Sequence, residues 1–163
     1  MGQQPHWSGM KLSLEAMFFD LDGTLVFHRK PYSVANPPQE EILANIVAPI
    51  GAHPLLRFLK DTGLFLGVIT WGDDRQKSKI DHLGFSDYFS YVDCSMNPGK
   101  PHKSVFDRAI VACGAKPENC LMVGDDPVKD IEGARAAGMN AMSLPELAAY
   151  LMCTDTILRA VLV

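Results

Sequence analysis

Short apolar runs alternate along the chain with segments whose apolar residues recur at helical spacing. The first run ends abruptly at Asp20 and Asp22, and its length and flanking charges are typical of a strand buried on both faces. Four further runs predict strands as well. The five predicted strands cover 16–19, 64–70, 88–92, 120–124 and 140–144.

Amphipathic segments follow these strands and predict the helices. The predicted helices cover 53–61, 73–82, 104–112, 128–137 and 145–151. Glycines close four of them, as expected where a helix ends. Strands that alternate with helices of this length indicate a parallel sheet with right-handed crossovers, so we expect an α/β fold.

The segment 27–52 interrupts this alternation. It carries four prolines and cannot form one regular element. A short helix is predicted within 38–47, and we interpret the whole segment as a small lid inserted after the first strand.

We interpret residues 1–14 as a loose tail, because residues 1–9 lack the basic and apolar regions of a signal peptide.

Composition narrows the class of protein. With 163 residues the chain suits a single domain, 1–163, and its net charge of −4 gives no basis for broad binding to nucleic acids or anionic membranes. No apolar run approaches the ~20 residues of a transmembrane helix. The four cysteines lack zinc-site spacing, and we interpret them as small buried side chains in a reducing, cytoplasmic compartment.

Polar side chains stand where the predicted strands end. Asp20 and Asp22 follow the first strand, Thr70 ends the second, and Lys100 lies in the loop after the third. The acids after the fourth strand are Asp125, Asp126 and Asp130. Because the carboxyl ends of parallel strands open onto one crevice, we expect these side chains to meet. Two carboxylates as close as Asp20 and Asp22 repel each other unless a cation or a proton intervenes, so the pair indicates chemistry.

The order of these groups resembles the sequence motifs of the haloacid dehalogenase-like (HAD) superfamily. The motifs read Asp20-x-Asp22-Gly23-Thr24, Thr70 after an apolar strand, Gly99-Lys100-Pro101 before a helix, and Gly124-Asp125-Asp126 followed by Asp130. The resemblance spans roughly 16–144 and implies a Mg²⁺-dependent phosphatase acting on phosphomonoesters. We expect a three-layer, Rossmann-like fold whose five strands lie in the order 5-4-1-2-3.

The resemblance implies that two aspartates carry the central chemistry. Asp20 is expected to attack phosphorus and form an aspartyl-phosphate that water then hydrolyses. Asp22 is expected to act as general acid and then as general base, with its carboxyl group tilted away from the metal and its pKa raised. The expected Mg²⁺ ligands are the carboxylates of Asp20 and Asp125 and the backbone carbonyl of Asp22.

Further residues are expected to support this centre. Lys100 and the Thr70 hydroxyl, together with backbone N–H groups near Trp71, are expected to bind the transferring phosphoryl group. Gly23 permits a bend in the chain, and Thr24 braces the loop by hydrogen bonds.

Three positions keep alternative interpretations. Asp130 orients either Lys100 or a metal-bound water. Asp126 is a metal ligand, an acid that contacts the metal ligands, or a helix cap. Trp71 stands where many relatives have Asn. It either stacks on a substrate ring or packs under the lid, and packing is favoured.

The small lid shapes the expectations about substrate. The spacing of the motifs leaves no room for a large cap domain, so His28, Arg29 and Tyr32 are the candidate substrate contacts in an open site. The partner is a phosphorylated substrate, either a small molecule or a macromolecule, and the protein is a monomer or a homodimer.

Two other functions compete with the phosphatase. A phospho-accepting receiver, which is a signalling module, carries its phosphorylated Asp after the third strand, whereas here the acid pair with Gly23-Thr24 follows the first. A phosphomutase needs a capped site that retains its intermediate, and the lid is too small for that. Both functions are therefore disfavoured.

Overall fold

Strands and helices alternate through most of residues 13–154, the part of the chain that the structure describes. In this computed structural model the strands are β1 (Ala16–Phe19), β2 (Phe27–His28), β3 (Ile46–Val47), β4 (Phe65–Thr70), β5 (Tyr91–Cys94), β6 (Cys120–Val123) and β7 (Asn140–Met142). The helices are α1 (Gln39–Asn45), α2 (Ala52–Asp61), α3 (Arg75–His82), α4 (Lys103–Cys113), α5 (Gly133–Ala136) and α6 (Leu144–Thr154). A π-helical segment, Pro127–Glu132, precedes α5.

A five-stranded sheet forms the centre of the fold. Its strands lie in the order β5-β4-β1-β6-β7, and every neighbouring pair is parallel. Read from β7 to β5 and counted by chain order within this sheet alone, the strands stand in the order 5-4-1-2-3. The predicted α/β class is confirmed. In detail the structure adds a short antiparallel ribbon, β2 paired with β3, that the sequence did not predict.

The side chains of β1 enter two separate cores. Met17 and Phe19 pack on one face of the sheet with residues such as Leu56 of α2, whereas Phe18 packs on the other face with Phe106 of α4. Successive side chains of a strand point to opposite faces, so a strand covered on both sides needs an uninterrupted apolar run. The three layers of the fold follow from this pattern.

The register of the strands brings several polar residues to one edge of the sheet. Phe19, the last residue of β1, pairs with Val68 of β4 and Val123 of β6. The backbone N–H of Asp20 donates to the Val123 carbonyl at 2.8 Å, and Thr70 is the last residue of β4. The carboxyl ends of β1, β4 and β6 therefore lie side by side.

The segment 27–52 is held by hydrogen bonds around Asn45. The Asn45 side chain accepts from the N–H of Lys30 at 3.2 Å and donates to the Lys30 carbonyl at 2.8 Å. The N–H of Arg29 donates to the Asn45 carbonyl at 2.8 Å. Helix α1 lies within the range 38–47 where a short helix was predicted, and its Ile42 enters the core.

Some expectations fall on residues 1–12 and 155–163, which lie outside the described part of the chain. These include nearly all of the predicted tail, and the side chain of Cys153 is outside it as well. Among the described residues, Cys94, Cys113 and Cys120 are free thiols. The described helices include none with the length and apolar character needed to cross a membrane.

Candidate active site

A buried lysine joins two carboxylates at the carboxyl edge of the sheet. The Nζ of Lys100 donates to Asp20 Oδ1 and to Asp130 Oδ1, each at 2.5 Å. Lys100 comes from the loop before α4, Asp20 from the end of β1, and Asp130 from the π-helical segment. All three residues are buried. One cation between two acids leaves this group with a net negative charge.

The environment of Asp20 opposes its ionisation. Burial is the largest influence and raises the pKa of the Asp20 carboxyl from 3.8 to about 6, although Lys100 acts in the opposite direction. The nearby Asp130 raises it further, since two close carboxylates repel each other. A cation placed beside Asp20 would favour the ionised form.

Asp125 completes a group of carboxylates that could hold a metal ion. Oxygen atoms of Asp20, Asp125 and Asp130 all lie within 4.8 Å of one another. Hard oxygen donors of this kind fit Mg²⁺. Both oxygens of Asp130 already accept hydrogen bonds, Oδ1 from Lys100 and Oδ2 from the N–H of Asp126 at 3.1 Å. Asp20 and Asp125 are therefore the better placed carboxylate ligands.

The loop after β1 is built around Asp125. Gly23 has a φ of +89°, and a Cβ at this position would collide with the Asp125 carboxylate. The Thr24 hydroxyl lies 3.5 Å from Asp125 Oδ1. A glycine is required at position 23 both for the left-handed backbone and for the close approach of the acid.

Asp126 caps the π-helical segment. Its Oδ1 accepts from the N–H of Lys129 at 2.8 Å and from that of Val128 at 2.9 Å. The Lys129 N–H contributes most to holding the pKa of Asp126 below its usual range. Of the three interpretations considered for this residue, the structure displays the cap.

The structure corrects the expectation for the pKa of Asp22. Burial acts to raise that pKa, but hydrogen bonds and charge from Lys79, with help from Gln76 and His28, outweigh it and lower the pKa instead. The Lys79 Nζ lies 2.7 Å from both carboxylate oxygens. Its neighbours were expected to raise this pKa, whereas the nearest partners of the carboxylate are hydrogen-bond donors, which lower it.

Trp71 also differs from the favoured interpretation. Thr70 is buried and faces the acid group, but the indole of the next residue is 54% exposed rather than packed under the lid. It lies against Gly99, close to Lys100 in the loop, and borders two cavities. Its exposure follows from its position at the open end of β4.

Two neighbouring cavities meet at Asp22 and Trp71. The smaller, of about 270 Å³, is lined by Asp20, Asp22, Thr70, Trp71, Lys100, Asp125, Asp126, Lys129 and Asp130. The larger, of about 370 Å³, lies between 28–42 of the lid and 71–79. Both volumes are in the size range of pockets that bind small metabolites.

The candidate lid residues divide between two places. His28 and Tyr32 line the larger cavity, and the Tyr32 hydroxyl lies 2.8 Å from His28 Nδ1. Arg29 instead lines a separate cavity with Lys30 and Glu41. Arg29, the residue after β2, therefore does not line the larger cavity with His28 and Tyr32.

Sequence reasoning missed Gln76 and Lys79 of α3. Both are buried and donate to the Asp22 carboxylate. The sequence offered one signal for them. Gln76 and Lys79 are three residues apart and so share a helix face, and the core residue Ile80 adjoins that face. Without the position of α3, a lysine and a glutamine in a polar helix suggest only a solvated surface.

Comparisons with known proteins agree with this geometry. The chain belongs to the haloacid dehalogenase-like hydrolase family, whose model matches residues 34–138. It is 40% identical over 95 residues to the glyceraldehyde 3-phosphate phosphatase of Pyrococcus furiosus, a match that covers 56% of this chain and 40% of the relative. It is 39% identical over 94 residues to the phosphoserine phosphatase of Thermus thermophilus, which covers 56% of this chain and 38% of that protein.

The matched stretch is thus about two fifths of the length of these relatives. The fold has a counterpart in the crystal structure of an HAD phosphatase from Thermococcus onnurineus. The TM-score is 0.69 at 24% identity, over 78% of this chain and 85% of the other. At that identity the likeness concerns the fold.

The raised pKa of Asp20 predicts a pH-dependent stability without metal. Between pH 4 and pH 6 the folded protein holds a proton on Asp20 that the unfolded chain releases. The contribution of Asp20 to the free energy of unfolding therefore falls as the pH rises through this window, by about 3 kcal/mol in all. The loss is complete about one pH unit above the folded-state pKa of Asp20.

The measurement is denaturant unfolding in EDTA from pH 4 to pH 7. Wild type should lose stability relative to Asp20→Asn as the pH rises, because Asn does not titrate. Asp107→Asn, an exposed surface change, provides the control. If the difference in free energy of unfolding between wild type and Asp20→Asn stayed constant with pH, it would contradict the raised pKa of Asp20.

Proposed function

We propose that the protein is a Mg²⁺-dependent phosphatase that hydrolyses phosphomonoesters through an aspartyl-phosphate on Asp20. The observation that carries the proposal is the buried Asp20–Lys100–Asp130 group beside Asp125 at the carboxyl edge of the sheet. The names of the two relatives support the reaction class and suggest small phosphorylated substrates.

The first step transfers the phosphoryl group to Asp20. An oxygen of Asp20 bonds to phosphorus, and the bond between phosphorus and the ester oxygen breaks. The departing oxygen keeps the electron pair and takes a proton from the Asp22 carboxyl, so the product leaves as an alcohol. Lys100 and the Thr70 hydroxyl, which line the smaller cavity, would bind phosphoryl oxygens as negative charge builds on them.

The second step regenerates the enzyme. A water oxygen bonds to phosphorus, the bond to Asp20 breaks, and inorganic phosphate leaves. Asp22 accepts the proton that water gives up. The hydrogen bonds that lower the pKa of Asp22 favour its ionised form, so they help this step and act against protonation of Asp22 before the first step.

Asp20 and Asp125, with the backbone carbonyl of Asp22, would hold the Mg²⁺ ion. When bound, the ion supplies positive charge that lets a carboxylate approach a phosphate dianion. Asp130, whose oxygens are both engaged, would instead fix Lys100.

Three broader proposals accompany the reaction. The chain forms one catalytic domain, and 27–52 acts as a small lid whose His28 and Tyr32 border the larger cavity. The free thiols favour a reducing, cytoplasmic compartment. The two cavities, of about 270 and 370 Å³, favour a small phosphorylated substrate over a macromolecule.

Metal dependence tests the proposed function. Phosphate release from a panel of phosphomonoesters should require Mg²⁺ and stop with EDTA. Mg²⁺ should also raise the melting temperature of wild type, since a ligand that binds only the folded state stabilises it. Asp125→Asn should weaken both effects, whereas the surface variant Asp107→Asn should keep them.

The competing functions give different results in the same assay. A receiver would accumulate stable phosphoprotein with little release of phosphate, and a phosphomutase would isomerise its ester. Full activity in EDTA would exclude the proposed metal role. No release from any ester would contradict the phosphatase.

A further inference from the structure

We propose that Lys79 and Gln76 are positioning residues that hold the Asp22 carboxyl toward the leaving-group side of the site. The inference rests on the proposed phosphatase function, in which Asp22 protonates the departing ester oxygen. It assigns a role to two buried polar residues of α3 that the proposed steps do not otherwise use.

Polar side chains of α3 and of the lid surround the Asp22 carboxylate. Lys79 Nζ lies 2.7 Å from each carboxylate oxygen, and its side chain is only 9% exposed. Gln76 Nε2 donates to Oδ2 at 3.0 Å, and His28 Nε2 lies 3.2 Å from Oδ1. Contacts from α3 and from the lid therefore fix both oxygens at once.

The amide of Gln76 is oriented by its two neighbours. Its Nε2 faces the Asp22 carboxylate and the Trp71 carbonyl, at 3.0 and 2.9 Å, and both of these groups only accept hydrogen bonds. Among the described residues, the buried Oε1 of Gln76 has no hydrogen-bond partner. A buried oxygen without a partner is costly, so the orientation is explained by what the nitrogen holds.

Gly72 makes room for this arrangement. Its φ is +152°, and a Cβ at this position would lie 2.7 Å from the Cγ and the Nε2 of Gln76. The turn after β4 thus admits the Gln76 side chain, whose Nε2 reaches the Trp71 carbonyl and Asp22. Any larger residue at position 72 would displace the amide.

The carboxyl of Asp22 is held at the boundary between the two cavities. Asp22 lines both of them, whereas Lys79, Gln76 and His28 line the larger one. The smaller cavity contains Asp20 and Lys100, where the phosphoryl group would bind. A proton donor at the boundary stands where the bond between phosphorus and the leaving oxygen breaks, so the larger cavity would receive the leaving group.

This placement matters only when the leaving oxygen needs a proton. An alkoxide is a poor leaving group and depends on a general acid, whereas a nitrophenolate departs without one. The value of kcat/KM covers the steps up to phosphoryl transfer and omits hydrolysis of the intermediate. Comparing kcat/KM for an alkyl and a nitrophenyl ester therefore isolates the role of Asp22 as an acid.

The experiment compares Lys79→Met with wild type on glycerol phosphate and on p-nitrophenyl phosphate, both with Mg²⁺. Lys79→Met should lower kcat/KM for glycerol phosphate by about 10²-fold, the loss typical of a misplaced catalytic group. For p-nitrophenyl phosphate it should match the control, Lys77→Met. Lys77 lies on the same helix, is 56% exposed and pairs with Asp74.

Equal losses on the two esters, or no loss on either, would overturn the inference, because a merely structural role does not distinguish leaving groups. Lys79→Arg, which keeps the charge, should recover part of the glycerol phosphate activity. If Lys79→Met does not fold, Gln76→Leu provides the same comparison. Wild type that releases phosphate from neither ester would instead refute the proposed function, and this inference with it.

Discussion

Asp20→Asn is expected to reduce phosphate release to background while the protein remains folded. The amide lacks the negative charge and the nucleophilic oxygen that the first step requires, so no covalent intermediate can form. Loss of a nucleophile typically lowers kcat by about 10⁵-fold or more. The measurement is steady-state phosphate release, with circular dichroism to establish that the fold is intact.

The fold should tolerate this change because Asn is nearly the same size as Asp. The N–H of residue 20 would still donate to the Val123 carbonyl. Lys100 would keep Asp130 as its ionic partner. A matched control is Asp107→Asn, the same chemical change on the surface of α4. If Asp20→Asn kept a kcat within about tenfold of wild type, Asp20 would not be the nucleophile.

Lys100→Met is expected to weaken both catalysis and stability. Removing one preorganised charge from a transition state costs about 10²–10³-fold in kcat. The buried lysine also separates Asp20 from Asp130, and breaking a buried ion pair by deleting one partner typically costs about 3–5 kcal/mol. Kinetics with an alkyl phosphomonoester and denaturant unfolding measure the two effects.

Lys103→Met is the matched control, because it makes the same substitution at an exposed lysine outside the site. Lys103 pairs with Asp107 on the surface of α4, where such a pair contributes about 1 kcal/mol or less. Adding Asp130→Asn to Lys100→Met should restore part of the stability but not the activity, because it removes an unpaired acid without replacing the cation. A Lys100→Met protein with wild-type kcat would contradict the role in catalysis.

The sequence was sufficient for features that depend on local pattern. The apolar run before Asp20 specified a strand covered on both faces, and alternation of strands with helices specified the parallel sheet. Because parallel strands align their carboxyl ends, the sequence alone predicts that Asp20, Thr70 and Asp125 lie at one edge of the sheet.

Features that depend on how elements dock could not be predicted in this way. The partners of Asp22 come from α3, whose rotation about its axis decides whether Lys79 faces solvent or the site. The same limit applies to Arg29, which lies in the bend after β2, where no periodic pattern shows which way a side chain points. Local patterns carry no information about these contacts.

The half-exposed indole of Trp71 makes the site visible by spectroscopy. It borders both cavities, so a ligand in either one would displace water from the ring and change its fluorescence. The chain has one other tryptophan, Trp7. In a Trp7→Phe background all indole emission would come from the mouth of the site, and titrations with phosphate or inactive esters would report occupancy without an added dye.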